Sequence, residues 1–353
     1  MDKFSIEGPC RIKGRVKISG SKNSSLPILA ATLLFDQPVT IRNLPKVKDI
    51  DTMLSLLKSL GSKIILSKDK RVAKIHNKNK IKTFASYSLV KTMRGSILVL
   101  GPLIAKYHKS KISLPGGCLI GARPINYHLD ALKKLGMNYV LKDGYILAKS
   151  KGKLNGKVLR FPKISVGATE NSIIAACLAK GTTILKNCAV EPEIKDLTNF
   201  LNLAGAKITW SGRKCKIIGV ESLNKTEYSV MPDRIEAGTF CVAATVAKGN
   251  LEILNFDAKI IKTELNLLKK FGAKIKIKNK KIFIKGPENI TNIKFEDNNI
   301  GIITSVDNTN KIGLGIINKK YCETGKTYQL VNENSQSIGE AEILETELPN
   351  SIA

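Results

Sequence analysis

A thiol and a guanidinium stand five positions apart in the stretch Leu114-Pro-Gly-Gly-Cys118-Leu-Ile-Gly-Ala-Arg123-Pro-Ile-Asn-Tyr-His128. Cysteine can act as a nucleophile or proton donor, and arginine grips anions with a planar fork of donors. Glycines and Pro124 shape the segment between them. The strand-like Lys111-Ile-Ser-Leu precedes it and the helical run from Leu129 follows, so it reads as a long strand-to-helix loop. Loops on rigid scaffolds are where binding and catalysis concentrate. The bland alternative is a surface loop with an incidental cysteine.

A second group of candidates sits where apolar helical runs begin. These starts carry Ser21-Lys22-Asn23, Lys91-Thr-Met-Arg94, Lys163-Ile-Ser165-Val-Gly167 and Pro232-Asp233-Arg234. Free backbone N–H groups and the helix dipole favour anions at such positions. Ser, Thr and Asp are also ordinary N-caps, so one instance decides nothing. Four instances, each with Lys or Arg beside the cap, point to phosphate.

The elements that position these residues repeat. The phrase recurs as Leu57-Lys-Ser-Leu-Gly61, Leu132-Lys-Lys-Leu-Gly136, Leu201-Asn-Leu-Ala-Gly205 and Leu268-Lys-Lys-Phe-Gly272, with the glycines 75, 69 and 67 residues apart. Each copy predicts an amphipathic helix ended by glycine and followed by a strand. An apolar, Ala-rich helix and a short strand precede each one. The repeat is therefore helix, strand, helix, strand, strand, about 70 residues long, and repeats of this kind pack around a common centre.

Composition narrows the class of function. The chain has 353 residues, enough for two or three domains, and carries a formal net charge of +29. Only nine of its 58 basic residues are arginine and aromatics are 5%, so the lysines read as solvated faces and a nucleic-acid surface is not expected. Attraction of small anionic substrates is the milder functional meaning. No apolar run reaches the length of a membrane span and the N-terminus lacks a signal-peptide pattern, which predicts a cytoplasmic protein. Seven widely spaced cysteines suit neither a disulfide framework nor a metal site. Residues 297–353 carry a net charge of −4 against +33 for the remainder, which marks a boundary near Phe295.

Repeat and loop together resemble the enolpyruvyl transferases, and within them the UDP-N-acetylglucosamine 1-carboxyvinyltransferase family. The resemblance is carried by Ile18-Ser-Gly-Ser-Lys22-Asn23, Leu26-Pro-Ile-Leu-Ala-Ala, Val90-Lys-Thr-Met-Arg94, the Cys118 loop, Ser165-Val-Gly-Ala-Thr, Glu191-Pro-Glu-Ile and Pro232-Asp-Arg-Ile-Glu-Ala-Gly-Thr-Phe, and runs from Met1 to about Phe295. It implies transfer of an enolpyruvyl group from phosphoenolpyruvate to the 3-hydroxyl of UDP-N-acetylglucosamine, the first committed step of peptidoglycan synthesis, with no cofactor and no metal. By resemblance, Lys22 and Asn23 meet phosphoenolpyruvate, Arg123 clamps it, and Cys118 protonates its methylene carbon and is the target of fosfomycin. Nearby cations favour the thiolate. Arg94, the segment Arg123, Pro124, Ile125, Asn126 and Tyr127, and Lys163, Ile164, Ser165 and Val166 match positions that hold the UDP-sugar. Asn126 stands where aspartate is common and Tyr127 where leucine is common. Glu191 and Asp233-Arg234 either line the cleft between domains or cap their helices.

The expected fold is α/β, an inside-out α/β barrel of the enolpyruvyl transferase type truncated to four of six repeats. Residues 22–229 make a complete first domain and 1–21 plus 230–295 an incomplete second one. Residues 296–353 form a β-rich tail resembling the C-terminal barrel of the glycine-cleavage T-protein (aminomethyltransferase) family. The family's aspartate base belongs to the absent repeats, so impaired turnover is expected. The alternative is a non-catalytic, UDP-sugar-binding product of truncation or gene fusion.

Overall fold

The computed structural model describes residues 8, 10–77, 81–91, 93–114, 116 and 125–291, and the backbone of four later strands. The chain divides into two compact units, residues 1–291 and 292–353.

In the larger unit the elements fall into four groups. The first group is β1 (Lys13–Lys17), α1 (Lys22–Ala31), β2 (Val39–Arg42), α2 (Lys48–Ser59), β3 (Lys63–Leu66) and β4 (Ala73–His76). The second is β5 (Phe84–Ala85), α3 (Tyr87–Val90), a 3₁₀ segment Arg94–Val99 running into α4 (Leu100–Tyr107), β6 (Lys109–Ser113), α5 (Asn126–Lys134), β7 (Met137–Lys142) and β8 (Tyr145–Ser150). The third is β9 (Val158–Arg160), α6 (Val166–Ala176), β10 (Thr182–Lys186), α7 (Pro192–Leu203), β11 (Lys207–Ser211) and β12 (Lys214–Ile218). The fourth is β13 (Thr226–Ser229), α8 (Arg234–Val246), β14 (Asn250–Leu254), a 3₁₀ turn Ala258–Ile261, α9 (Lys262–Lys270), β15 (Lys274–Lys278) and β16 (Lys281–Lys285).

Each repeat builds a four-stranded sheet, one strand more than the repeat read from the sequence. The missed strand is short, only Phe84–Ala85 in the second repeat, and pairs in parallel. Two leading strands are also exchanged: β13 joins β2 in the first sheet, and β1 joins β14 in the fourth. The four sheets stay separate, and none closes into a barrel among the described residues.

Helix composition sorts the layers. Ser24 to Ala31 of α1, Leu100 to Ala105 of α4 and Ala168 to Ala176 of α6 are buried on every side. Small residues let these helices approach closely, as apolar inner helices must. The outer helices are amphipathic; α2 buries Ile50, Met53, Leu54, Leu56 and Leu57 and exposes its charged face. The sheets alternate likewise, with Ile282 and Ile284 of β16 inward and Lys281 and Lys285 outward. Lysines on such outer faces account for much of the positive charge.

The outer helices end as their sequence predicts. Gly61, Gly136, Gly205 and Gly272 adopt φ of 109, 112, 97 and 98°. Next to three of them, the amides of Ser62, Ala206 and Ala273 donate to the carbonyls of Leu57, Leu201 and Leu268 at 3.0 Å, closing the helix ends.

Two hydrophobic clusters form in this unit, one from Leu26 to Val230 and one from Ile18 with Ala237 to Ile284. In the second, α8 is buried on one side only, leaving Ile235 (51%), Val242 (49%) and Val246 (62%) exposed along a helical stripe. The chain passes between the clusters twice, and the passes cross as an antiparallel bridge, Gly20 to Pro232. Ser21 N donates to Met231 O and Asp233 N to Ser19 O, both at 2.8 Å.

In the smaller unit β17 (Gly301–Asp307) pairs antiparallel with β18 (Ile312–Ile317), and β19 (Thr327–Val331) with β20 (Ser337–Glu342). No helix among the described residues is long and apolar enough to cross a membrane.

The crossing demands a glycine. A Cβ on Gly20 would lie 1.6 Å from the carbonyl oxygen of Asn43. Gly20→Ala is expected to lower unfolding free energy by about 3 kcal/mol or more. Gly238→Ala, with nothing within 4 Å and inside α8, is expected to raise it by up to about 1 kcal/mol. Denaturant unfolding of both variants checks the contrast.

Candidate functional site

Lys22 is the first residue of α1, capped by Ser21, whose side chain accepts from Ser24 N. Its ammonium lies 3.1 Å from a carboxylate oxygen of Asp49 on α2, and its backbone N–H donates to Asp233 at 3.2 Å. The Lys22–Asp49 pair is solvated, with side chains 42% and 36% exposed. Such a pair contributes less than about 1 kcal/mol, so a doubly charged phosphate can displace the carboxylate at little loss. Asn23 follows, exposed.

Arg94 opens the 3₁₀ segment and is half-buried. Its neighbour Gly95 packs on the first turns of α1, where an added Cβ would meet Leu26 Cδ1 at 3.0 Å. Gly116, at the entrance to the cysteine loop, lies against the Lys91 backbone, 2.6 Å from its carbonyl oxygen by the same measure. Arg94 thus stands between the Lys22 helix and the root of the Cys118 loop. Cys118, Arg123 and Pro124 themselves lie outside the described residues.

The helix after the loop starts at Asn126, three residues earlier than the apolar run suggested. Ile125 precedes it half-buried, Asn126 is exposed and Tyr127 half-buried. His128 in its first turn is buried against the start of α6; a Cβ on Gly167 would meet its ring at 3.0 Å. Ser165 caps α6 by accepting from Ala168 N at 3.4 Å. Beside it Lys163, Ile164 and Val166 face solvent. The starts of α5 and α6 therefore meet around His128.

Asn171 locks this junction, and its role was not legible in the sequence. Its carbonyl oxygen accepts from Gly101 N at 2.8 Å, while its amide nitrogen donates to Ile97 O at 3.1 Å and faces His128 Nδ1 at 3.2 Å. The first two contacts fix the amide orientation, so Nδ1 of His128 must accept. A protonated ring would set donor against donor. Burial first, and the charge of Arg94 second, push the His128 pKa down to about 4.

Within α6, Glu170 is buried near Glu193 and Glu191. Burial, and then the charges of Glu193 and Glu191, hold its carboxyl well above the usual carboxylate range. Glu193 pairs with Arg234 at 2.9 Å. Asp233 caps α8 through Ile235 N and Glu236 N, and Glu191 stands at the N-cap position of α7 without a side-chain cap bond. The Asp233–Arg234 pair thus both caps a helix and links the two clusters. Burial pushes the thiols of Cys177, Cys188 and Cys241 up to about 12, 11 and 12. Among the described residues no group of three or more His, Cys, Asp or Glu is placed to hold a metal ion.

The His128 environment has a measurable consequence. The unfolded chain takes up the imidazole proton near pH 6.5 and the folded chain only near 4. Between those values the unfolded state holds more protons, so stability falls as pH falls. The wild type is expected to lose about 3 kcal/mol relative to His128→Gln across this window. Unfolding curves of both proteins at pH 7 and pH 4 check it, and parallel curves would contradict it.

Comparison with known proteins places this geometry. The family model described as EPSP synthase (3-phosphoshikimate 1-carboxyvinyltransferase) matches residues 6–306. The UDP-N-acetylglucosamine 1-carboxyvinyltransferase of Pelagibacter ubique (strain HTCC1062) is 56% identical over 297 residues, 84% of this chain and 71% of that protein. That of Coxiella burnetii (strain Dugway 5J108-111) is 47% identical over 78% of this chain and 64% of its own length. The chain thus spans roughly two thirds of these relatives. Two solved structures share the fold: the enolpyruvyl transferase NikO from Streptomyces tendae (TM-score 0.71, 20% identity, 80% of this chain and 68% of that one), and an EPSP synthase from Acinetobacter baumannii (TM-score 0.67, 18% identity, 81% and 67%). Matched by the family model and by relatives at 56% and 47% identity over most of its length, the chain belongs to the EPSP synthase family of enolpyruvyl transferases.

Proposed function

We propose that the chain carries the substrate-receiving wall of a UDP-N-acetylglucosamine 1-carboxyvinyltransferase, which moves enolpyruvyl from phosphoenolpyruvate to the sugar 3-hydroxyl in peptidoglycan synthesis. The observation that carries the reading is the meeting of four element starts: α1 with Lys22, the Arg94 segment packed on it through Gly95, and α5 and α6 joined at His128. Two ligand regions follow from their chemistry. Lys22, Asn23 and the Cys118–Arg123 loop suit a small phosphorylated carboxylate. Arg94, Ile125, Asn126, Tyr127, Lys163, Ile164, Ser165 and Val166 join a cation and helix N-termini, for a diphosphate, to exposed apolar side chains, for a base or sugar face. Cys118 is the proposed proton donor and fosfomycin target.

The proposed domain division is 22–229, complete; 1–21 with 230–295, incomplete; and 296–353, a tail resembling an aminomethyltransferase C-terminal barrel. The two hydrophobic clusters and the exposed α8 stripe support the first two parts. A second domain of one repeat leaves the cleft without its opposing wall, so we expect impaired turnover, in the cytoplasm. The same open stripe favours the second reading, a chain that binds UDP-sugar without turnover.

Phosphate release with both substrates decides between them. We expect slow release dependent on both, lower by about 10² to 10⁴ than a relative that keeps its general base. Binding of UDP-N-acetylglucosamine with no release above background would leave only the second reading. Independently, fosfomycin should add one mass label at Cys118. The label should persist in a Cys10→Ser, Cys322→Ser variant, since Cys10 is exposed and Cys322 lies outside the described residues, while Cys177, Cys188, Cys215 and Cys241 are buried.

A further inference from the structure

The crossing between the two clusters rests on one carboxylate. Asp196, on the outer helix α7, is 7% exposed. Its Oδ2 accepts from the Ser24 hydroxyl, in the first turn of α1, and from Met231 N at 3.1 Å, in the second crossing segment. Its Oδ1 accepts from the Tyr228 hydroxyl, at the end of β13, at 2.5 Å. None of these partners is a cation. Among the described residues three donors and no acceptor hydrogen-bond the carboxylate, an arrangement that favours its ionised form against the burial that raises its pKa and that an apolar side chain would leave unpaired.

Ser24 is the residue after Asn23, so one side chain ties the start of α1 to the crossing. The tie is reinforced from the other direction. Lys22 N donates to Asp233, and Ser19 N donates to Glu236 of α8 at 2.9 Å. Movement of the second cluster relative to the first must therefore pull on the turn that presents Lys22 and Asn23.

We propose that Asp196 is a positioning residue for the phosphate end of the site: it holds the first turn of α1 against the crossing, so that Lys22 and Asn23 meet their ligand in one fixed geometry. Its ligand, phosphoenolpyruvate, rests on the function proposed above; the mechanical tie does not.

Four variants of the full chain separate the arms. Ser24→Ala cuts only the α1 arm, Tyr228→Phe only the β13 arm, and Asp196→Ala cuts all of them, with Asp196→Asn as the conservative rescue. The readouts are amide hydrogen exchange at residues 22–25, phosphoenolpyruvate affinity and UDP-N-acetylglucosamine affinity. Asp196→Ala and Ser24→Ala should each speed exchange at residues 22–25 at least tenfold and weaken phosphoenolpyruvate binding about tenfold. UDP-N-acetylglucosamine affinity should change less than twofold. Tyr228→Phe should change phosphoenolpyruvate affinity less than twofold, and Asp196→Asn should recover most of the loss. Unchanged exchange at residues 22–25 in Ser24→Ala overturns the proposal, as does a parallel fall of both affinities. Should the wild type bind no phosphoenolpyruvate, the function proposed above falls, and the exchange result alone decides the tie. Should Asp196→Ala fail to fold, Ser24→Ala against Tyr228→Phe carries the same decision.

Discussion

The first cluster depends on three helices, α1, α4 and α6, that are buried on every side. A helix with no solvated face can carry polar chemistry in two ways: at its ends, or through side chains that find partners inside. Both are used. The ends carry Lys22, Arg94 and Ser165, and the interior carries Asn171, whose three polar contacts are spent on the neighbouring helices. Because the helices pack on one another, their starts cannot drift apart. The candidate site is a consequence of how the core closes.

Charge follows the same geometry. The groups proposed to receive anions lie at solvated ends, where a weak ion pair such as Lys22–Asp49 can yield to a ligand. Three buried titratable groups are held near neutrality or by hydrogen bonds. His128 stays unprotonated beside Arg94, Glu170 is pressed toward its protonated form, and Asp196 is ringed by donors. Of the carboxylates around the crossing, Glu193 and Asp233 also engage the opposite cluster, through Arg234 and Lys22 N. The joint between the clusters and the phosphate end of the site therefore share residues.

What could be read from the sequence was whatever one residue type enforces locally. Gly61, Gly136, Gly205 and Gly272 announced helix ends because only glycine takes φ near 100° without strain. Alternating lysines announced solvated strand faces, as in β15 and β16. Helix starts with Lys or Arg beside a cap announced where the proposed anion sites lie. The leading strands escaped because Phe84–Ala85 is too short to show a period. The exchange of β1 and β13 shows in no local pattern, because each pairs with a partner far along the chain; only the resemblance put residues 1–21 with the second domain. Asn171 and Asp196 are ordinary polar residues in the sequence, and their importance lies wholly in what they meet. Cys118, Arg123 and Pro124, the residues that gave the family away, lie outside the described residues and rest on the resemblance.

The central claim is that four element starts form one ligand-receiving surface. Backbone amide shifts on titration with UDP-N-acetylglucosamine, with and without phosphoenolpyruvate, test it most directly. The account predicts that residues 94–96, 125–128 and 163–168 shift together with the sugar nucleotide, and that residues 22–24 respond to phosphoenolpyruvate. Shifts confined to one of these segments, or centred on the outer lysine faces of the sheets, would contradict it.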